Sequence, residues 1–285
     1  MSIVYLNGEF LPMQEARISP MDRGFLFGDG IYEVIPSYGG RTVGLAGHLR
    51  RLANGLADIG IPLPALDWST LITELLQRNN ASNTGVYLHV SRGADVRRFH
   101  AYPDPAVVPP TVYAFTFDIP AEPQADAERT KLYRVTLAED KRWRRCQIKS
   151  TSLLGNVMHF QQGVEAGVDE TILYNAERLV TEASACNVFM VKEGVVFTAP
   201  LDDQILPGIT RQILLEILRA KSDLNVVEQY FSVEQLLEAD EVWLTSSTKE
   251  VAPVIEVAGQ AIGQGGVGPV WLRAQTLFKQ YKYDY

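Results

Sequence analysis

The chain has 285 residues, a length that at roughly 150 per domain favours two domains with enough apolar surface for a core without staples. Hydrophobic residues make up 46% and charged residues 21%, which excludes a disordered or low-complexity chain, and a net charge of -8 excludes a basic footprint for nucleic acid or anionic lipid. Cys146 and Cys186 are too few for a disulfide framework and lack C-x-x-C spacing, and Met1 to Pro12 has no basic start leading into an apolar run, so the expected setting is a reducing cytoplasm with no membrane anchor.

Two short apolar runs flank Asn7-Gly8, a dipeptide suited to a type I′ turn, so the chain is expected to open with a β-hairpin. Leu45, Leu49, Leu52, Leu56 and Ile59 recur at helical steps and predict a helix ending before Pro62, with Arg50 and Arg51 off the apolar stripe. A second helix is expected from Ser69 to Arg78, and strands from Val86 to Val90 and from Val112 to Phe117. Asp118 to Asp126 has the Pro- and Ala-rich composition of a linker, which divides the chain into a smaller α/β domain (1–117), a linker (118–126) and a larger domain (127–285). In the larger domain Leu132 to Leu137 reads as a strand, and hairpins are expected around Asn175-Ala176-Glu177 and around Lys192-Glu193-Gly194. Ile209, Ile213 and Ile217 mark a helix starting near Thr210, and Ser232 with Gln235 forms a capping-box start. Glu241 to Thr245 is a strand entering the turn Ser246-Ser247-Thr248, and Val270 to Tyr281 is the last helix.

Several chemistries are disfavoured. Gly263, Gly265 and Gly268 match G-x-G-x-x-G, but too few residues follow to complete a βαβ unit, so a glycine turn before the last helix is expected. His48, His89, His100 and His159 show no paired metal-ligand spacing, and neither a Walker A sequence nor G-x-S-x-G occurs. Arg142 to Lys149 instead places a lysine at the end of a basic stretch, before the apolar turn Leu153-Leu154-Gly155. Arg144 and Arg145, with partial burial, would disfavour its ammonium form and make the amine a better nucleophile.

With that lysine in place, the sequence resembles the fold-type IV pyridoxal-phosphate enzymes. The resemblance rests on ordered motifs spanning nearly the whole chain. They are Asp22-Arg23-Gly24, Phe27-Gly28-Asp29-Gly30-Ile31-Tyr32-Glu33, His48-Leu49-Arg50-Arg51-Leu52, Arg142 to Lys149, Val180-Thr181-Glu182-Ala183 through Asn187-Val188-Phe189, Leu206-Pro207-Gly208-Ile209-Thr210-Arg211, and Thr245-Ser246-Ser247-Thr248. The resemblance implies an α/β (α+β) fold of two domains with pyridoxal 5′-phosphate between them, and transamination by a ping-pong mechanism. By the same resemblance, Lys149 holds the cofactor and moves the proton. Glu182 pairs with the pyridine nitrogen, where a negative charge favours the protonated ring. Arg142 lies near the phenolate oxygen, although a structural ion pair is an equal reading of it. Arg51, Ile209, Thr210, Ser246 and Ser247 form a phosphate cup, the helix N-terminus adding N–H donors, and Leu206 packs against the ring.

Within the family, Arg98-Phe99-His100 resembles the Arg-x-His pair that, with the tyrosine matching Tyr32, takes the substrate α-carboxylate in enzymes acting on D-amino acids. The loop is one residue longer than the commonest D-specific pattern, so Arg97 is an alternative to Arg98. The family brings this loop from a neighbouring subunit, which implies a homodimer. The expected substrates are therefore D-alanine or similar D-amino acids with 2-oxoglutarate or pyruvate. The alternatives are a transaminase for branched-chain L-amino acids or (R)-amines, and a lyase releasing pyruvate from aminodeoxychorismate.

Overall fold

The computed structural model describes residues 2–80 and 82–285. The chain divides into two compact units, one of Met1–Glu122 with Ile148–Leu153, the other of Pro123–Gln147 with Leu154–Tyr285. The short stretch carrying Lys149 thus groups with the first unit, a return that a linear division at 118–126 does not contain.

In the first unit the hairpin forms as expected: β1 (Ile3–Leu6) and β2 (Glu9–Pro12) are joined by Asn7 and Gly8, both at positive φ, as a type I′ turn requires. Then follow α1 (Arg23–Phe27), β3 (Gly30–Tyr38), β4 (Arg41–Thr42), α2 (Leu45–Asp58), α3 (Trp68–Asn79), β5 (Asn83–Ser91) and β6 (Thr111–Asp118). The six strands seen among the described residues pair in the order β2-β1-β6-β5-β3-β4, all antiparallel. Leu52 and Leu56 of α2 and Ile72 and Leu75 of α3 pack on Ile31, Ile35, Val86 and Leu88 of the sheet. Ile148 is buried in the same cluster. Burying such a side chain contributes roughly 1.5–3 kcal/mol, enough to fasten the returning segment here.

The second unit runs β7 (Tyr133–Glu139), α4 (Leu154–Glu165), β8 (Glu170–Tyr174), β9 (Val180–Ala183), β10 (Asn187–Lys192), β11 (Val195–Thr198), α5 (Ile209–Lys221), β12 (Asn225–Glu228), α6 (Val233–Leu237), β13 (Glu241–Ser246), β14 (Glu250–Val257), β15 (Gln260–Ala261) and α7 (Pro269–Tyr281). Its sheet is ordered β12-β11-β10-β13-β14-β7-β8-β9, with β15 on β14. Both expected hairpins form, and the Ser232–Gln235 capping box closes reciprocally on α6. Gly263 and Gly265 sit at positive φ in the turn before α7, as a glycine turn demands.

One expectation is corrected. Leu153-Leu154-Gly155 is not an apolar turn, because Leu154 already begins α4. That helix leaves Leu154, Val157, Met158 and Val164 more than half exposed, so its outer face is apolar, while His159 and Gly163 are buried. A stripe looking outward carries no periodicity signal toward the chain's own core.

Candidate active site

Lys149 is placed by backbone pairing. Ser150 bridges Ile31 in antiparallel fashion, the Tyr32 N–H donates to the Lys149 carbonyl at 3.1 Å, and the Thr151 N–H donates to the Gly30 carbonyl at 2.9 Å. The half-buried lysine therefore lies across the start of β3, with Nζ 4.1 Å from the centroid of the Tyr32 ring, a cation–π separation. Tyr32 in turn stacks on Tyr87 at 5.6 Å. Gly28 is the hinge of this approach: it ends α1 at φ +65, and a Cβ there would stand 2.4 Å from Ser152 Oγ. Arg144 and Arg145 are exposed and belong to the second unit, so the groups set beside Lys149 within its own unit are aromatic rather than these cations.

Arg51 is off the apolar stripe of α2 but not in solvent. Its guanidinium makes a bidentate pair with Glu33, Nε to Oε1 and Nη2 to Oε2, both 2.7 Å. His48, one helical turn earlier, brings Nδ1 to 2.6 Å from the same Oε2. Glu33 is fully buried on the face of β3 that also carries Ile31 and Ile35. Burial works to raise its carboxyl, but Arg51 and His48 outweigh it and hold the group at about 2. Burial pushes the His48 ring down, with the charges of Arg51 and Lys149 adding to that and Glu33 opposing it. Sequence reasoning missed a role for Glu33. The signal was present in the alternation Ile31-x-Glu33-x-Ile35, since a carboxylate on an apolar face demands partners.

Arg97, Arg98, Phe99 and His100 are exposed in the long connection between β5 and β6. The Arg98 guanidinium lies 4.9 Å from the centroid of the Phe27 ring and the His100 ring 5.4 Å from it, so these two share one aromatic plate. Arg97 lies instead over Phe99, at 4.8 Å.

The second unit holds the remaining residues. Glu182 lies on β9 where the register against β8 slips between Ile172 and Tyr174, a bulge that buries all four residues of the strand. A surface position at a hairpin edge is thereby excluded. Its carboxylate accepts from Arg142 Nη1 at 2.6 Å, from the Leu206 N–H at 3.0 Å and from Asn187 Nδ2 at 3.3 Å. Burial pushes this carboxyl up, Arg142 and the Leu206 N–H pull it down, and the balance lies above the ordinary value. Arg142 is shared: Nε and Nη2 also donate to Asp140, at 3.0 and 2.7 Å. The ion pair fixes Arg142 and Glu182 against each other.

Asn187 draws the other residues together. Besides Glu182 it donates to the Leu206 carbonyl at 2.9 Å, and its backbone pairs with Thr245 across β10 and β13. A Cβ on Gly208 would stand 2.0 Å from Asn187 Oδ1, so glycine alone lets α5 begin this close. No side chain caps α5, which leaves N–H groups of its first turn, at Ile209 and Thr210, available to an anion. Beside it, Thr245 Oγ1 is buried with no hydrogen-bond partner, and Ser246, the last residue of β13, and Ser247, in the turn after it, follow half-buried. Asn187 lies in one of the motifs quoted from the sequence, but nothing in that string shows that one amide joins a carboxylate, a loop and a helix start.

Comparison with known proteins gives a consistent result. A family profile described as "Amino-transferase class IV" matches residues 30–257. The chain is 37% identical over 284 residues to the D-alanine aminotransferase of Staphylococcus haemolyticus, covering 99% of this chain and 98% of that protein. It is 39% identical over 278 residues to that of Bacillus licheniformis, covering 97% and 95%. Among solved structures, the branched-chain amino acid aminotransferase of Escherichia coli superposes with a TM-score of 0.88 at 24% identity, covering 98% of this chain and 94% of that one. The branched-chain amino acid aminotransferase of Thermobaculum terrenum, solved in its PLP-bound holo form, gives 0.86 at 18%, covering 99% and 94%. At these identities the likeness is one of fold.

Proposed function

The chain belongs to the class IV aminotransferases, and from that premise we propose that it moves the amino group of D-amino acids such as D-alanine to 2-oxoglutarate or pyruvate in a ping-pong cycle. It is a pyridoxal-phosphate-dependent enzyme whose substrates are an amino donor and a 2-oxo acid. The observation that carries the substrate reading is the identity to D-alanine aminotransferases along nearly the full chain.

The residues present fit the cofactor. The uncapped start of α5, the orphaned Thr245 hydroxyl, Thr210, Ser246 and Ser247 are a donor set suited to a phosphate, and Arg51 would add charge to it. Glu182 is an acceptor suited to a protonated ring nitrogen, Leu206 would pack on the ring, and the primary amine of Lys149 would hold the cofactor covalently. When bound, pyridoxal phosphate supplies the electron-withdrawing ring that makes the substrate Cα–H acidic. Lys149 Nζ would take the proton from the substrate Cα and later give it back, acting as base and then as acid. Tyr32 orients Nζ through its ring. Arg142 holds Glu182 in place through their ion pair and would lie near the phenolate oxygen. Arg98 and His100, a guanidinium and an imidazole on the Phe27 plate, are the pair suited to the α-carboxylate. Arg97 faces Phe99 and is the weaker choice.

The working form in this reading is a cytoplasmic homodimer. Its support is the exposed apolar stripe of α4, the exposure of Arg98 and His100 in one chain, and two cysteines that remain free. Among the described residues no helix is long and apolar enough to cross a membrane. A single-chain mass by sedimentation under assay conditions would remove the dimer.

The test is a set of half-reactions on the holoenzyme with D-alanine, L-leucine and (R)-1-phenylethylamine offered separately. D-alanine should convert the bound cofactor to its amine form, followed by absorbance. Conversion by L-leucine or the amine alone would overturn the substrate reading, and pyruvate release from aminodeoxychorismate without a 2-oxo acid would replace transamination by elimination.

A further inference from the structure

Asp22-Arg23-Gly24 has no part in the chemistry above, yet Asp22 and Arg23 are almost wholly buried. Asp22 ties together the two stems of the connection 92–110. Its Oδ1 accepts from Ser91 Oγ at 2.7 Å, at the end of β5, and its Oδ2 from Thr111 Oγ1 at 2.6 Å, at the start of β6. Asp22 also bridges Ala94, and the Arg23 N–H donates to the Gly93 carbonyl at 2.9 Å. The stems touch at Gly93, whose φ is +93 and where a Cβ would lie 2.1 Å from the Pro109 carbonyl oxygen.

Arg23 holds the crown. Its Nη1 donates to the Phe99 carbonyl at 2.5 Å and the Ala101 carbonyl at 3.4 Å, and its Nη2 to the His100 carbonyl at 3.3 Å. Asp29 anchors that guanidinium through Nε at 2.8 Å, and accepts at the same time from Arg92, which stacks on Tyr102 at 3.5 Å. Three successive carbonyls of an irregular loop are thus satisfied by one buried cation. The residues so held flank and include His100, and Arg98 shares the Phe27 plate with it.

We propose that Asp22-Arg23-Gly24 is a clamp that presets the Arg98–His100 loop for a carboxylate, which makes Arg23 a positioning residue for substrate recognition. The proposal rests on the reading of Arg98 and His100 given above. A loop held before binding spares the substrate the ordering cost, so loss of the clamp weakens binding of ground state and transition state alike, and KM rises more than kcat falls. Lysine cannot replace Arg23, because an ammonium lacks the planar fork that spans adjacent carbonyls.

The test compares KM for D-alanine in the wild-type holoenzyme, Arg23→Met, Arg98→Ala and the double variant, with limited trypsin cleavage at Arg97 and Arg98 read alongside. Arg23→Met should raise KM about tenfold, speed cleavage of the loop, and add little when Arg98 is already alanine. A wild-type KM in Arg23→Met while Arg98→Ala raises it, or fully additive effects in the double variant, overturns the clamp. An unchanged KM in Arg98→Ala overturns the carboxylate reading instead, and unaltered cleavage in Arg23→Met then overturns the clamp independently. If Arg23→Met does not fold, the exposed Tyr102→Ala loosens the same loop from its other anchor. A KM about threefold higher with faster cleavage supports the proposal, and wild-type behaviour in both overturns it.

Discussion

The two buried arginine–carboxylate clusters, Glu33 with Arg51 in the first unit and Glu182 with Arg142 in the second, use the same chemical groups and reach opposite results. Glu33 is held at about 2, whereas Glu182 stands above the ordinary carboxylate value. Both carboxylates are buried and both touch a guanidinium at 2.6–2.7 Å. The difference lies in the partners set against burial. Arg51 pairs bidentately with Glu33, and His48 adds a second partner, while Arg142 is divided between Glu182 and Asp140. At Glu182 burial is the largest influence and outweighs Arg142 and the Leu206 N–H, with Asp140 adding to it, whereas at Glu33 the cationic partners outweigh burial.

Disrupting the first cluster should have the largest effect. Glu33→Gln leaves Arg51 buried beside a neutral partner, and about 3–5 kcal/mol of stability should be lost at pH 7. Because the folded-state value of Glu33 is depressed, its contribution is present above about 4.5 and fades as pH falls toward about 2. Thermal midpoints of variant and wild type should therefore converge over that window. A gap of constant size from pH 7 to pH 2 would undo the contrast at its first member.

Glu182→Gln tests the other cluster. If this acid serves the cofactor ring, turnover should fall by about 10²-fold, equivalent to about 2.7 kcal/mol of barrier, while the bound-cofactor absorbance persists. Loss of the cofactor itself with normal turnover per loaded site would show that Glu182 acts in retention only.

The smallest effect should refine the explanation. Asp140→Asn removes the negative charge that competes for Arg142 and itself raises the Glu182 carboxyl, so that carboxyl should drop. A downward shift of about one unit, or about 1.4 kcal/mol, is expected in the acid limb of the pH–rate profile. An upward shift, or none, would mean that the charge of Asp140 is not part of what holds Glu182 up.

Much of this was legible in the chain alone. The Asn7-Gly8 hairpin, the Leu45–Ile59 stripe, the Ser232 capping box and the ordered motifs around Lys149 and Glu182 are local signals, since turn geometry, helical period and capping act within a few residues. The local signals carried the mixed α/β class, and the family resemblance resting on the ordered motifs carried the cofactor and the reaction type. What the sequence could not reveal depends on residues far apart in it. The return of Ile148–Leu153 to the first unit, the seating of Glu33 between His48 and Arg51, the joint made by Asn187 and the tie from Arg23 to the carbonyls of residues 99–101 each join distant segments. The charge state of a buried acid and the shape of a substrate loop follow from those meetings, because desolvation and hydrogen-bond geometry belong to the packed site and not to any residue within it.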